Sequence, residues 1–217
     1  MTDDREKIFA AIRRSLRGTE RSDALRSPAS PLTSVHREDP EPPFRKFRTE
    51  LEALGGFAES LKYETDASKF IAEHTEPASS IFIYDQVATR FRSLVGSLSE
   101  SRRLRFGNEF AAGYDKREVA SFDAAVTGCA ACVAETGTVV IQTDMRLPAA
   151  LAPKLFVVVE QKQLVASLDE LFTDTFGNAD ASNLFMITGP SRTADIEKQL
   201  VKGVHGPRDV LVLFINE

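Results

Sequence analysis

Two stretches of this chain, Val157-Val158-Val159 and Leu211-Val212-Leu213-Phe214, are apolar at every successive position. A strand with one wet face alternates apolar and polar side chains, so an unbroken run requires cover on both faces. Parallel sheets packed between helices supply that cover. The rest of the chain agrees, because short apolar runs alternate with segments of helical periodicity from Phe44 onward. The spacing predicts strands at 81–84, 104–106, 139–142, 155–160, 184–188 and 210–215. Helices are predicted at 44–54, ending at Gly55-Gly56, and at 66–75, 87–98, 166–176 and 193–201. The fold class expected is α/β, a Rossmann-like, largely parallel sheet with helices on both faces.

Ahead of this region, Ile8, Phe9, Ile12 and Leu16 form one apolar stripe, which predicts a helix at 3–17 capped by Thr2. Asp3, Asp4 and Glu6 at its start and Arg13, Arg14 and Arg17 at its end match the helix dipole. Residues 18–43 hold five of the ten prolines and show neither periodicity, so they read as a flexible linker. The expected organisation is an N-terminal helical arm and linker over 1–43 and an α/β domain over 44–217. The arm could fold back on its own domain, or dock on a partner or a second copy in a homo-oligomer.

A chain of 217 residues suffices for one well-buried domain of this kind. Its net charge of -5 and pI near 5.4 argue against general nucleic-acid binding. Apolar runs of about six residues fall far short of the roughly 20 that span a bilayer. The acidic start, with no apolar core behind it, resembles no export signal, so a cytoplasmic location is expected. The two cysteines, Cys129 and Cys132, have C-x-x-C spacing, which can serve a redox pair or half of a metal site or simply pack as two small residues, and a structural zinc site or iron–sulfur cluster takes about four ligands. The three histidines, at 36, 74 and 205, are scattered, and no metal site is expected.

Neither a P-loop nor a dinucleotide fingerprint is present, and nucleophile elbows and H-E-x-x-H are absent. Three other segments can carry chemistry. In Thr188-Gly189-Pro190-Ser191-Arg192-Thr193, Gly189 permits close approach, Ser191 and Thr193 offer hydroxyls, and Arg192 offers a planar fork of donors. With a helix predicted to follow, this turn suits an anionic guest. Thr193 as a helix cap and Asp195 as a first-turn dipole partner would explain those two residues equally well. In Glu135-Thr136-Gly137-Thr138, a carboxylate beside a glycine and two hydroxyls can act as base, nucleophile or ligand for a substrate hydroxyl, or simply cap a turn. In Gly203-Val204-His205-Gly206-Pro207, His205 can transfer protons near neutral pH or serve as a structural hydrogen-bonder. In a purely parallel sheet these segments could not all meet, since Gly189 follows its strand whereas Glu135 and His205 precede theirs. A helix over 193–201 would also hold Ser191 and His205 on the order of 12 Å apart.

On these segments the sequence resembles the LUD-domain family, in particular lactate-utilisation proteins of the C type. The resemblance rests on Glu135-Thr136-Gly137-Thr138, on the nine-residue run from Gly189 to Glu197, and on Gly203-Val204-His205-Gly206-Pro207. It implies a fold similar to the sugar-phosphate isomerase and CoA-transferase group. It also implies involvement in oxidising L-lactate to pyruvate beside partner proteins that carry iron–sulfur clusters. With two cysteines, this chain looks like a cluster-free component, and no cofactor is expected on it. Catalytic roles would fall to Glu135 and His205, and ligand contacts to Thr136, Gly137, Thr138, Gly189, Ser191, Arg192, Thr193 and Asp195. An acyl- or CoA-transfer enzyme using Glu135, or a sugar-phosphate isomerase, are the alternatives.

Overall fold

A computed structural model of the protein describes residues 42–110, 113, 115–143, 145, 147–175, 184–193, 201–202 and 206–216. The predicted arm helix and nearly all of the linker lie outside these residues. The first described element is helix α1 (Pro43–Ala53). Phe44, Phe47 and Leu51 recur on one stripe, and Phe47 and Leu51 are fully buried. Pro43 sits at its start, where a missing N–H breaks no helical bond. Gly55 N–H donates to Glu52 O (2.8 Å) and Gly56 N–H to Leu51 O (3.0 Å), the paired closure of a Schellman turn. Gly55 stands at φ +82°, as that turn requires.

Strands β1 (Phe57–Leu61), β2 (Ser80–Ile83), β3 (Arg103–Phe106), β4 (Ala124–Gly128), β5 (Ala131–Val133) and β6 (Thr138–Gln142) come first. They are followed by β7 (Lys154–Glu160), β8 (Leu164–Val165), β9 (Leu184–Ile187), β10 (Arg192–Thr193), β11 (Val201–Lys202) and β12 (Asp209–Ile215). Between them run α2 (Glu64–Glu73), α3 (Asp85–Arg90), α4 (Arg92–Ser99), α5 (Lys116–Val119), α6 (Leu147–Leu151) and α7 (Leu168–Glu170). Six strands build one sheet in the order β1-β12-β7-β4-β2-β3, and every neighbouring pair is parallel. The two unbroken apolar runs are neighbouring interior strands, β7 and β12, with Leu155–Val159 and Val210–Ile215 buried along their whole length. Phe44 and Phe47 of α1 meet Phe214 edge-on at 5.1 and 5.4 Å, which anchors the helix to the sheet. Among the described residues, no helix is long and apolar enough to cross a membrane.

Four expectations are corrected. The predicted helix at 87–98 is two helices, broken at Phe91 (φ -115°, ψ 63°), whose ring is buried. Glu64 Oε2 accepts from Ser93 N and Leu94 N (2.8 and 3.1 Å), so the second helix is capped from a distant element. At 166–176, only Leu168–Glu170 is α-helical, and a π-helical turn follows over Leu171–Thr175. The strands at 139–142 and 184–188 belong to a second sheet, β8-β5-β6-β9, in which β5–β6 and β6–β9 are antiparallel. Its side chains divide by strand alternation. Cys132, Val139, Ile141 and Ile187 join the main core, whereas Ala131, Val133 and Val140 pack with Val165 and Leu171.

The fourth correction concerns 193–201. Arg192 and Thr193 pair antiparallel with Lys202 and Val201. Partners in such a ladder sit about 5 Å apart, whereas the two ends of a nine-residue helix would be about 12 Å apart. Thr193 and Val201, expected as the first and last residues of a helix, are thus strand residues instead, while residues 194–200 lie outside the described residues. The β-branched Thr193 and Val201 suit a ladder better than helical periodicity suggested.

Candidate ligand-binding site

The C-terminal end of α1 is the point on which the motif segments converge. Gly137 stands at φ +64°, and a Cβ added there would lie 2.5 Å from Leu51 N. Gly189 stands at φ +89°, and its added Cβ would lie 3.0 Å from Leu54 Cβ. Both glycines are needed for the backbone to turn left-handed against the helix.

Because β6 and β9 are antiparallel, with Val139 opposite Ile187, Thr138 and Thr188 come to the same end of the small sheet. Their Oγ1 atoms are 2.8 Å apart, and Thr136 Oγ1 donates to Thr138 Oγ1 at 2.7 Å. The result is a chain of three hydroxyls running from half-buried Thr136 through buried Thr138 to exposed Thr188. Ser191 N–H donates to Pro207 O at 2.9 Å, and a Cβ on Gly206 would lie 3.0 Å from Ser191 Cβ. Ser191 and Gly206 thus lie together. Arg192 and Thr193 are strand residues paired with Lys202 and Val201, while Asp195 and His205 lie outside the described residues.

Glu135 follows a different course. Its Oε1 accepts from Leu168 N at 2.6 Å and its own N–H donates to Ala166 O at 3.1 Å. The exposed carboxylate therefore ties the β5–β6 turn to the start of α7, a capping task.

In an all-parallel sheet, a loop that follows a strand, as Gly189 does, lies at the carboxyl edge. The loop after β9 lies instead beside the amino end of β12, since β9 belongs to the small sheet and Ser191 bonds Pro207. A cleft of about 290 Å³ opens at this same edge, over the first residues of β1, β12 and β7. Gly55, Gly56, Phe57, His74, Lys154 and Asp209 line it, one residue along from the Leu54 that meets Gly189. Phe57, Phe70 and His74 stack in series, with centroids 5.5 and 4.0 Å apart. His74 Nδ1 bonds Phe70 O (2.8 Å), and Lys154 Nζ donates to His74 O (2.5 Å). Lys154 and Asp209 are register partners on adjacent strands. Among the described residues, neither has an ion-pair partner, which leaves an ammonium and a carboxylate at the rim of the cleft. Sequence reading missed His74 and Lys154, since neither sits in a motif. Pro153-Lys154 at a strand start and Gly55-Gly56-Phe57 after a helix were the only local signals.

Among the described residues, no grouping of three or more His, Cys, Asp or Glu side chains is placed to hold a metal ion.

A six-stranded parallel α/β sheet with a second, mainly antiparallel sheet sharing its core defines the class of protein. The LUD domain family model matches residues 44–215, and the chain belongs to that family. Among similar proteins is a lactate utilization protein C from Deinococcus radiodurans, 34% identical over 99 residues, which are 43% of this chain and 47% of the relative. Another, from Macrococcus caseolyticus, is 36% identical over 39% of this chain and 40% of the relative. An uncharacterized protein of Neisseria meningitidis is 32% identical over 44% of this chain and 43% of its own length. The matched segment spans less than half the length of these curated relatives. A crystal structure of a DUF162 family protein from Deinococcus radiodurans shares the fold, with TM-score 0.59 and 17% identity over 80% of this chain and 96% of that one.

Proposed function

We propose that this chain is a cluster-free component of a lactate-utilisation system that oxidises L-lactate to pyruvate, and that it binds a small carboxylate or phosphate. The names of its relatives support a role in lactate utilisation. One observation carries the binding half: the antiparallel pairing of β6 with β9 gathers three hydroxyls beside Gly189 and Ser191, at the edge where the Lys154 cleft opens. In this reading Ser191, Arg192 and Thr193 hold the anion, with Asp195 and the Thr136-Gly137-Thr138 turn completing the wall. His205 moves the proton of the ligand hydroxyl. Two cysteines fall short of a cluster's about four ligands, so the acceptor of lactate's two electrons is assigned to iron–sulfur partner proteins.

Calorimetric titration with L-lactate, pyruvate and inorganic phosphate tests the binding half. The expected result is saturable binding to at least one of them, weakened about tenfold or more in Arg192→Ala, since a charge-assisted pair contributes about 1.5–3 kcal/mol. Equal affinity in that variant would contradict the assignment. Oxidation of lactate by the purified chain alone would overturn the non-redox reading.

A second reading, acyl or CoA transfer with Glu135 as nucleophile, draws support from the exposure of that carboxylate. Against it, Oε1 is engaged by Leu168 N–H. Incubation with acyl-CoA and hydroxylamine should leave Glu135 unmodified. A hydroxamate at that position would establish transfer instead.

A further inference from the structure

Where β4 ends and the chain turns into β5, Cys129 and Cys132 bring their Sγ atoms to 3.8 Å. Both are free thiols. They differ in access: Cys132 is completely enclosed, while Cys129 lines a cavity of about 20 Å³ with Gln86, Arg90 and Gln163. This volume admits a molecule little larger than water. Gln163 fixes the corner, donating from Nε2 to Cys129 O and accepting Glu160 N–H at Oε1 (2.8 Å). Arg90 pairs with Glu160 at the mouth.

We infer that Cys129 and Cys132 form an oxidation site for hydrogen peroxide or a peroxide of similar size, which closes an intramolecular disulfide. In the first step the Cys129 thiolate attacks one peroxide oxygen and the O–O bond breaks. The product is a sulfenic acid, and the departing hydroxide takes a proton to become water. The Cys132 sulfur then attacks the Cys129 sulfur and expels the sulfenic oxygen, which leaves as a second water with the Cys132 thiol proton. Two thiols thus lose two electrons and two protons to one peroxide, giving one disulfide and two waters. Cavity access makes Cys129 the first to react. Burial pushes the Cys132 thiol pKa up, helped by its contact with Cys129, which disfavours Cys132 as the first thiolate to form. The sulfurs must close from 3.8 Å to about 2.05 Å, a movement within the reach of side-chain rotation and a small shift of the corner. A bulky disulfide reagent such as oxidised glutathione does not fit the cavity and should react far more slowly. The consequence reaches the motif turn, because β5 carries Cys132 opposite Val139 and runs directly into residues 134–137.

Intact mass spectrometry of the full chain after peroxide treatment tests this. The expected result is a loss of about 2 Da, reversed by dithiothreitol, with a peptide map linking Cys129 to Cys132. Oxidised glutathione should act at least about tenfold more slowly. In Cys132→Ser the reaction should stop at a sulfenic acid trapped by dimedone on Cys129. Cys129→Ser should show no dimedone adduct on the same time scale. An unchanged wild-type mass under conditions that oxidise a free thiol peptide would overturn the proposal without recourse to variants. So would equal rates with peroxide and oxidised glutathione, or first reaction at Cys132.

Discussion

Gly137 is held in the left-handed region with Leu51 N where a Cβ would go, so replacing it strains the turn and displaces α1 together. Gly137→Ala should cost about 3 kcal/mol in urea denaturation, combining backbone strain with lost packing. Gly96 is the opposite case. It lies inside α4 with open space where its Cβ would stand, and Gly96→Ala should stabilise by about 0.5–1 kcal/mol. The same assay on both variants separates the demand for glycine from a general effect of added bulk. Charge acts locally too. Arg102 donates to Thr75 O (2.7 Å), to Thr75 Oγ1 (2.9 Å) and to Ala72 O, closing the carbonyl end of α2. Arg102→Ala should therefore lose about 2 kcal/mol. Two carboxylates give a pH signature. Glu109 is held below the ordinary range chiefly by the Phe106 N–H; burial opposes this and Arg105 adds to it. Burial of Glu160 pushes its pKa up, but the hydrogen bonds and charges of Lys162 and Arg90 outweigh this and leave it lowered. A lowered folded pKa means stabilisation that is full above the unfolded value, near 4.3, and lost as pH falls through the folded value. Thermal scans from pH 6 to 3 should show a decline below about pH 4.5 that is shallower in Glu160→Gln.

At the scale of elements, α1 is the piece on which both the fold and the candidate site depend. Its inner face is fixed by Phe47 and Leu51, and its outer end receives Gly137, Gly189 and the cleft. Phe47→Ala should cost about 3–5 kcal/mol, and amide exchange at 136–138 should rise with it. The helix was legible because a Phe-x-x-Phe-x-x-x-Leu stripe ends in two glycines, and both signals are local. The pairing of 192–193 with 201–202 was not legible, since the partners lie ten and eight positions apart and the sequence carries a helical cap signature. Val139-Val140-Ile141 misled in another way. Continuous apolarity reports cover on both faces, and the small sheet has such cover while running antiparallel. Burial could be read from the sequence, and strand direction could not.

For the molecule as a whole, the parallel sheet follows from the apolar runs of its interior strands β7 and β12, and the family from the three motif segments. Two motif contacts come from geometry that sequence left open: β6 and β9 run antiparallel, which joins Thr138 to Thr188, and Ser191 meets Gly206, while Glu135 turns to Leu168 instead. His74 and Lys154 escaped notice because only the folded sheet brings them to Asp209. Titration of uniformly 15N-labelled protein with L-lactate, followed by amide chemical shifts, is the most direct measurement. Saturable shifts are expected at Gly55, Gly56, Gly137, Thr138, Thr188, Gly189 and Ser191. Shifts confined to the opposite edge of the sheet, around Gly107 and Gly128, or no shifts at millimolar lactate, pyruvate and phosphate, would contradict that expectation.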